Sequence, residues 1–352
     1  MTKKRIIAVF ALLTALLLAC AGPAGAASAE DSAGLSGHHR VIIDTDTAGD
    51  DAFAIAMAVY APNVTVEGLT VLSGNVPLDQ AVANALMCVE AAGAPDIPVY
   101  RGAETTYNGV EHPCFSVFGT DGMGDADLIH PTIRAQEGSA VDFIIDTVRN
   151  NPGEIELMCL GPVTNIALAF EKDPEAMSHV KQIYVMGTSG FGPGNATPVA
   201  EFNVYHDAEG FQRLLDSGAH MIIIPLDMCT QPGVLFYRQD LDRWLAGTPV
   251  QQFLGKASTK LFEFYTVTSG LDYMAICDAV AVYAMLFDAA ETAVPCAGKC
   301  ITDPDSPAYG LVVLYRKDTS YDSMPQIADY NLEIVTKMAV GTYHEDLLSL
   351  IR

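Results

Sequence analysis

The chain has 352 residues, of which 43 are acidic and 19 are Lys or Arg, so its formal net charge at pH 7 is −24. A surface this acidic repels nucleic acid and anionic membranes, and it favours a neutral or cationic small-molecule substrate. Half of the residues are hydrophobic, which is enough for one large core or for two domains.

The first 29 residues have the features of a signal peptide. A basic segment, Lys3-Lys4-Arg5, precedes the apolar run Ile6–Ala19, and Ala27-Ser28-Ala29 offers a small-residue cleavage site. We therefore predict an exported protein with a flexible segment over 30–39. Residues 1–29 hold three basic residues and no acidic one, so their removal changes the net charge to −27.

An alternative interpretation concerns Cys20. Leu17-Leu18-Ala19-Cys20 resembles a bacterial lipobox, in which Cys20 would be lipidated and anchor the protein to the cell surface. Leu18 is bulky for its position in that motif, so we favour the secreted, extracytoplasmic form. A membrane partner is expected only if Cys20 carries a lipid.

The cysteines beyond Cys20 do not indicate a disulfide framework. Their number is odd, their spacings are irregular, and several lie in apolar runs. They are Cys88, Cys114, Cys159, Cys229, Cys277, Cys296 and Cys300. Only the last two are close enough in sequence to suggest one bridge, and the sequence leaves that question open.

The predicted elements alternate between strands and helices. A β-branched strand at 41–44 leads into a small-residue helix, and Val64–Leu72 is a second strand. A helix over Leu78–Ala92 and a short strand over Ile97–Tyr100 complete this rhythm, which indicates parallel βαβ units. Residues 101–138 are rich in Gly, Pro, His and Asp, and a loop of this length is usually functional.

The pattern continues to the end of the chain. Further strands are predicted over Ile155–Leu160, Gln182–Met186, Met221–Leu226, Gly310–Tyr315 and Asn331–Val335. Further helices are predicted over Ala140–Asn150, from Thr164, and over Asp207–Ser217, Gln251–Thr268 and Asp278–Phe287. We therefore predict a single large α/β domain over 40–352, with an open, mostly parallel Rossmann-like sheet flanked by helices.

Four carboxylates, Asp44, Asp46, Asp50 and Asp51, lie within eight residues at the first strand-to-helix turn. Two or three acids could cap the helix and complement its dipole, but four at one turn repel one another unless a cation neutralises them. A phosphatase with an aspartyl nucleophile needs Thr or Val where this chain has Ala48, and an EF-hand needs oxygen ligands at Ala48 and Ile55. We interpret the turn as half of a metal site.

Other polar residues follow the later predicted strands, where ligands of open parallel sheets bind. They are Asn75, Thr164, Asn165, Asn195, Glu201, Asn203 and Asp278. Carboxylates, amides and carbonyls without a cluster of His or Cys suit a hard cation, with calcium the best fit and magnesium second.

These residues form motifs that occur in one family in this order. They are Asp44-Thr45-Asp46 with Asp50-Asp51, Ser73-Gly74-Asn75, Gly122-Met123-Gly124, Gly161–Asn165, Gly194–Asn203 and Asp278–Ala281. The chain resembles the inosine-uridine preferring nucleoside hydrolases from about residue 40 to about residue 340. Several separated motifs in order are far more specific than the Asp cluster alone.

The resemblance implies a role for each matching residue. One calcium ion would be held by Asp46, Asp51, the carbonyl of Thr164 and Asp278, and Asp46 would also take a proton from the metal-bound water. The residues implied to bind the ribose are Asp50, Asn75, Asn195, Glu201 and Asn203, with Met186 packed nearby. Asp44 would not bind the ion itself but would orient the metal ligands at the turn.

The chain departs from the family pattern where the leaving base is activated. It has Cys277 where many members have His before the last metal-binding Asp, and Phe118 where many have His in the central loop. A subgroup with Cys at this position is known in the family. A thiol can donate a proton but matches neutral pH less well than imidazole, so Cys277 is either a catalytic acid or a packing residue.

Other polar and aromatic residues are assigned weaker roles. His112, His130, His206 and His220 are expected to be solvated or structural. Phe264, Tyr265 and Tyr273 could flank the base, although packing is the simpler role for each. Trp244 is expected to pack in the core.

We therefore predict an exported, calcium-dependent N-ribohydrolase that cleaves ribonucleosides to base and ribose, as in purine and pyrimidine salvage. The alternatives are a ribonucleoside-binding protein without turnover and a hydrolase of another ribosyl compound such as nicotinamide riboside. We expect a homo-oligomer, a dimer or tetramer. The sequence does not indicate the preferred base, because the residues that would contact it lie in 101–138 and 236–276.

Overall fold

The structure is a computed structural model that describes residues 34–109, 113–317, 319 and 330–352. The predicted signal peptide, Cys20 and His112 lie outside the described residues. No helix in the described part of the chain has the length and apolarity needed to cross a membrane. Residues from Ser36 to Arg352 form one unit, which is described below.

The elements largely follow the predicted alternation. The strands are β1 (His39–Thr45), β2 (Val64–Val71), β3 (Val99–Arg101), β4 (Glu156–Cys159), β5 (Gln182–Met186), β6 (Met221–Ile224), β7 (Phe236–Tyr237), β8 (Tyr273–Met274), β9 (Ala290–Cys300), β10 (Val312–Arg316) and β11 (Leu332–Met338). The helices are α1 (Gly49–Tyr60), α2 (Leu78–Ala91), α3 (Phe115–Phe118), α4 (Ala140–Asn150), α5 (Thr164–Lys172), α6 (Pro174–Met177), α7 (Phe202–His206), α8 (Ala208–Asp216), α9 (Leu226–Cys229), α10 (Arg238–Leu245), α11 (Pro249–Ala257), α12 (Thr259–Glu263), α13 (Cys277–Leu286) and α14 (Tyr343–Leu350).

Nine strands form one sheet in the order β10-β9-β11-β6-β5-β4-β1-β2-β3. The strands from β11 to β3 are parallel, and β9 runs antiparallel to both of its neighbours. The order β3-β2-β1-β4-β5-β6 is that of a doubly wound fold, so the predicted Rossmann-like sheet is confirmed. The strand order reverses between β1 and β4, and ligands of such sheets bind in the crevice at that point.

Helices cover both faces of the sheet, which explains why the central strands are apolar throughout. Val41, Ile42 and Ile43 are all fully buried, as expected for a parallel strand covered on both sides. On one face, Ile42 packs in a core with side chains of α4, α5 and α8. On the other face, α1 packs against α2, α11, α13 and α14. We call these the α5/α8 layer and the α1/α13 layer.

The core of the α1/α13 layer contains the predicted packing residue Trp244. Its ring lies edge-on to Phe53, with 4.8 Å between the ring centroids, and it is 1% exposed. The interpretation of Trp244 as a core residue is confirmed.

The single helix predicted over Gln251–Thr268 is wrong. The segment is divided into α11, α12 and a π-helical turn over Phe264–Thr268. Buried Ser258 lies at the first break, where its hydroxyl donates to the carbonyl of Leu254, four residues earlier, at 3.0 Å. Such a bond competes with the helical hydrogen bonds and bends the chain, and π-turns are frequent at functional sites.

The strand β9 was not predicted from the sequence, and its geometry also decides whether Cys296 and Cys300 can form a disulfide. Pro295 and Gly298 weaken its strand pattern, and the strand forms because β10 and β11 pair with it on either side. Cys296 and Cys300 lie four residues apart along this strand, so their Cα atoms are about 13 Å apart. A disulfide requires less than about 7 Å, so the extended strand excludes the bridge that the sequence left open.

Candidate active site

The turn between β1 and α1 is held by hydrogen bonds to Asp51. Its carboxylate accepts from the hydroxyl of Thr45 at 2.5 Å and from the backbone N–H of Ala48 at 2.8 Å. Asp51 thus satisfies an orphan N–H at the start of α1, where the helix dipole favours negative charge. Its side chain is fully buried and fixed in one orientation.

Asp46 lies in the same turn, with one carboxylate oxygen anchored and the other available. Oδ2 accepts from the backbone N–H of Asn75 at 2.6 Å, whereas the buried Oδ1 has no hydrogen-bond partner among the described residues. Gly74 and Gly161 approach so closely that a Cβ on either would lie 2.1 or 2.5 Å from the carboxylate. Glycine at both positions therefore makes room for Asp46.

Asp50 and Asp278 complete the cluster of acids. Oxygens of Asp50, Asp51 and Asp278 lie within 4.8 Å of one another, and all three residues are buried. Asp278 comes from the first turn of α13, so the N-termini of α1 and α13 converge here. In the described chain, no Lys or Arg forms an ion pair with these acids or with Asp46.

The raised pKa values and unbonded oxygens of this cluster are typical of a cation site. Burial, followed by the charge of Asp51, raises the pKa of Asp50 to about 8, and burial raises the pKa of Asp51 to about 6. The pKa values of Asp46 and Asp278 are raised well above the usual range, first by burial and then by the neighbouring carboxylates. Oδ1 of Asp50, like Oδ1 of Asp46, has no hydrogen-bond partner in the described part of the chain. Clustered, buried and partly unbonded carboxylate oxygens fit a hard divalent cation.

Asp44 and Thr164 lie just behind this cluster. Oδ1 of Asp44 accepts from Thr70 at 2.6 Å and from Asn165 at 2.8 Å, which ties β1 to β2 and to α5. The hydroxyl of Thr164 donates to Asp207 at 2.7 Å, so α5 is also tied to the start of α8. Burial raises the pKa of Asp44 to about 7.

A cavity of about 580 Å³ opens beside the acids at the carboxyl ends of the strands. This volume is typical of small-molecule sites. The predicted site residues that line it are Asp50, Asn75, Met186, Asn195, Glu201, Asn203, Cys277 and Asp278. Asp46, Asp51, Asp44 and Thr164 are buried around it and do not line it. The structure thus brings together predicted residues from the ends of four strands, β1, β2, β4 and β5, and from the start of α13.

Two of the lining residues are fixed by the backbone. Glu201 caps α7, and its carboxylate accepts from the N–H groups of Asn203 at 2.9 Å, Val204 at 3.2 Å and Thr188 at 3.2 Å. The side-chain NH₂ of Asn203 donates to the carbonyls of Leu160 at 2.8 Å and Met186 at 3.2 Å. Burial raises the pKa of Glu201 to about 7.

One wall of the cavity, which we call the base-side wall, consists of Phe118, Phe264, Tyr265 and Cys277. A hydrogen bond with the Cys229 side chain, followed by burial, raises the pKa of the Cys277 thiol well above its usual value. Cys229 Sγ in turn donates to the carbonyl of Cys277 at 3.6 Å. Cys277 is therefore a neutral thiol at physiological pH.

Another part of the cavity lining, which we call the α7 wall, was not predicted. It consists of Phe202, Tyr205 and His206, and the rings of Phe202 and His206 lie 3.8 Å apart, centroid to centroid. His206 is 6% exposed and follows Asn203 by one helical turn, which places both on one face of α7. Helical spacing from Asn203 is the one sequence signal that could have identified it.

The family model described as inosine-uridine preferring nucleoside hydrolase matches residues 41–344. Among curated relatives, probable uridine nucleosidase 2 of Oryza sativa subsp. japonica is 44% identical over 204 residues, 57% of this chain and 60% of its own length. The pyrimidine-specific ribonucleoside hydrolase RihB of Escherichia coli (strain SE11) is 29% identical over 75% of this chain and 87% of its own. A solved plant nucleoside hydrolase, PpNRh1, superposes with a TM-score of 0.82 and 28% identity, covering 89% of this chain and 98% of that chain.

Proposed function

The chain belongs to the inosine-uridine preferring nucleoside hydrolase family, and from this premise we propose that it is a calcium-dependent ribonucleoside hydrolase. The observation that carries the proposal is the cluster of buried carboxylates at the switch point of the sheet, directly beside a cavity lined by the side chains that the resemblance implies bind ribose. The reaction adds water across the N-glycosidic bond, so that the hydroxyl goes to the anomeric carbon and a proton to the base.

Calcium is the proposed ion because every candidate ligand is an oxygen. Asp46, Asp51, Asp278 and the carbonyl of Thr164 would hold one ion, and calcium accepts carboxylate and carbonyl ligands in flexible geometry. Bound there, the ion supplies the positive charge that positions the attacking water and the 2′- and 3′-hydroxyls of the ribose.

Asp46 is the proposed general base. Its Oδ2 is held by Asn75, and its Oδ1 is available to accept a proton from the attacking water. The fixed orientation of the carboxylate keeps it in place for the transfer.

The acidic cavity stabilises the transition state. Cleavage of an N-glycosidic bond builds positive charge on the ribose, as in glycoside hydrolysis. Asp50, Asp278 and Glu201 line the cavity and are buried, so their charges act strongly on that developing cation and little on the neutral substrate.

The base-side wall offers Cys277 and Tyr265 as neutral hydrogen-bond donors to the departing base. The pKa of each is raised, in Cys277 first by its hydrogen bond with Cys229 and in Tyr265 first by burial. Each group therefore stays protonated at neutral pH. We propose that the base leaves with a hydrogen bond from this wall.

We also propose that the protein is exported and forms a homo-oligomer. Export is supported by the basic segment, apolar run and small-residue site within residues 1–29, with lipidation at Cys20 as the alternative. A ribonucleoside hydrolase outside the cytoplasm would supply bases for purine and pyrimidine salvage.

A second candidate function is ribonucleoside binding without turnover. Phe118 and Cys277 favour it, because they occupy wall positions where the family resemblance implies histidine in many members. Calorimetry with uridine and inosine, combined with an assay of base release, distinguishes the two functions. Tight binding with no base released over hours supports a binding protein.

The test of the hydrolase is release of free base and ribose from uridine, cytidine, inosine and adenosine. Asp46→Ala and Asp51→Ala should abolish release, whereas Asp146→Ala, on the exposed surface of α4, should not change it. Wild-type rates in both cluster variants would contradict the proposed mechanism.

A further inference from the structure

Asp207 is a fully buried carboxylate that joins three separate segments of the chain. It is the N-cap of α8, where its Oδ1 accepts from the backbone N–H of Gly210 at 3.3 Å. Oδ1 also accepts from the N–H of Tyr107 at 2.9 Å, and Oδ2 accepts from the hydroxyl of Thr164 at 2.7 Å. A helix cap needs only the first of these bonds, so the other two indicate a second role.

The bond with Thr164 connects Asp207 to the proposed calcium site. Thr164 is buried and begins α5. Gly161, three residues earlier, lies against Asp46, because a Cβ on this glycine would lie 2.5 Å from Oδ1 of that carboxylate. Residues 161–164 therefore run from a contact with the acid cluster to the contact with Asp207. Under the proposed function the carbonyl of Thr164 binds the ion, and the hydroxyl bond restricts the rotation of that same residue.

The bond from Tyr107 is one of two that hold the segment after β3 near the start of α5. Asn165 makes the other, since its Oδ1 accepts from the N–H of Ala103 at 2.9 Å while its NH₂ group donates to Asp44 at 2.8 Å. Further along this segment, four residues within 113–118 line the cavity. The proposed metal site and this part of the cavity lining are therefore joined through side-chain hydrogen bonds.

We propose that Asp207 is a positioning residue that acts through the Thr164 hydroxyl and holds the Thr164 carbonyl in place for the metal ion. This inference rests on the proposed function and adds a residue outside the motifs that carry the family resemblance. Groups that hydrogen-bond to metal ligands orient them before the ion binds, and their loss weakens metal affinity about 10–100-fold. Removal of this bond should therefore weaken calcium binding, although Asp207 is not itself a proposed ligand.

The first test is the calcium dissociation constant, measured by calorimetry on the wild type, Asp207→Ala and Asp207→Asn. Asp207→Ala removes all three bonds, so the dissociation constant should rise at least about tenfold. The amide of Asp207→Asn keeps an oxygen that accepts from both backbone N–H groups, and its NH₂ group can donate to the hydroxyl oxygen of Thr164. Asp207→Asn should therefore recover most of the lost affinity.

A double-mutant cycle with Thr164→Val tests whether Asp207 acts through Thr164. Thr164→Val removes the hydroxyl and leaves the backbone carbonyl, so it should also weaken calcium binding about tenfold. Because both substitutions remove the same bond, the double variant should bind calcium no more than about threefold more weakly than Asp207→Ala. Independent losses, which would multiply to about a hundredfold, would show that Asp207 affects the ion by another route and overturn the inference.

Asp173→Ala is the matched control. Asp173 also caps a helix of the α5/α8 layer, where it accepts from the N–H of Ala176 at 2.9 Å, and it lies outside the cavity. Its loss should lower Tm and leave the calcium dissociation constant unchanged. The same result for Asp207→Ala would show a capping role alone and overturn the inference. If Asp207→Ala does not fold, an unchanged dissociation constant in Thr164→Val overturns it instead.

Base release from uridine by the wild type identifies a failure of the proposed function. A wild type that binds calcium and releases no base contradicts the hydrolase, whereas the calcium measurements still decide the role of Asp207. A wild type that binds no calcium overturns both.

Discussion

Asp46 combines two requirements that conflict in a buried site. A base must keep an oxygen free of hydrogen bonds, yet a buried oxygen without a partner costs about 1–3 kcal/mol. The chain resolves this by anchoring Oδ2 to the N–H of Asn75 and leaving only Oδ1 without a partner. Asp51 shows the contrasting arrangement, with both oxygens used in the turn.

Asp46→Asn tests this residue with almost no change of shape. Hydrolysis of uridine should fall about 10²–10⁴-fold, because the amide cannot accept the proton. The metal-free protein should not lose stability, since the substitution removes one charge from a repulsive cluster. Rates are measured by base release and stability by thermal unfolding; an active Asn variant would place the base elsewhere.

Cys277→His introduces the imidazole that the family resemblance implies for many members. The rate should change most for substrates with poor leaving bases, because imidazole gains and loses a proton near neutral pH, whereas the raised pKa of the Cys277 thiol keeps it protonated there. Calcium binding, followed by calorimetry, should be preserved. An unchanged rate for every nucleoside would place leaving-group activation outside this position.

The sequence predicted the lining residues well where each belongs to a motif at a strand end. Asn75 follows β2, whereas Asn195 and Asn203 both follow β5, and parallel topology brings such strand ends together. His206, which lines the same cavity, could not be found in this way, because its position depends on which face of α7 meets the cavity. That face is set by Glu201, which caps the helix, and by the bonds of Asn203.

Two loops must approach Asp46 closely for the turn between β1 and α1 to form. Gly74 follows β2 and Gly161 follows β4, so the strands on both sides of β1 each contribute one glycine. Any side chain at these positions would displace the carboxylate or the loop.

Gly74→Ala should therefore damage the site through the backbone. A Cβ would lie 2.1 Å from Oδ2 of Asp46, so we expect a loss of about 1–3 kcal/mol in unfolding free energy and a drop of at least about tenfold in kcat/KM. Gly37→Ala is the matched control, because nothing lies within 4 Å of the added Cβ. Equal behaviour of the two variants in thermal unfolding and kinetics would contradict the close contact.

The elements that the sequence predicted are those with a local signal. The boundaries of α4 and β5 match the prediction because a polar or glycine-rich segment bounds each apolar pattern. No local sequence signal marks the breaks that divide the segment after Pro249 into α11, α12 and the π-helical turn. The strand β9 also lacks such a signal. They depend on a side-chain bond of Ser258 and on pairing with β10 and β11, which are tertiary effects.

The buried acids link folding to pH and, under the proposed function, to calcium. Burial raises the pKa of Asp50 to about 8 and that of Asp51 to about 6, both above the usual range of an aspartate. Between pH 4 and pH 8 the metal-free folded state therefore holds protons that the unfolded chain has released. The contribution of these two groups to stability is greatest at low pH and falls as pH rises through these values.

Calcium should reverse that loss, because the ion replaces the protons. At a hundredfold excess over its dissociation constant, calcium should raise Tm by about 5 °C at pH 8 and by less at pH 5, where protons compete. Thermal unfolding with and without calcium at both pH values measures this, with Asp51→Asn as the control that loses the shift. A larger shift at pH 5 would contradict the assignment of the acids to the metal.

Hydrolysis of uridine by the wild-type protein, measured before and after removal of calcium with a chelator, tests the central claim most directly. The account predicts release of uracil and ribose, loss of that release with the chelator, and its return when calcium is added in excess. Release that continues undiminished in the chelator, or no release with calcium present, would contradict it.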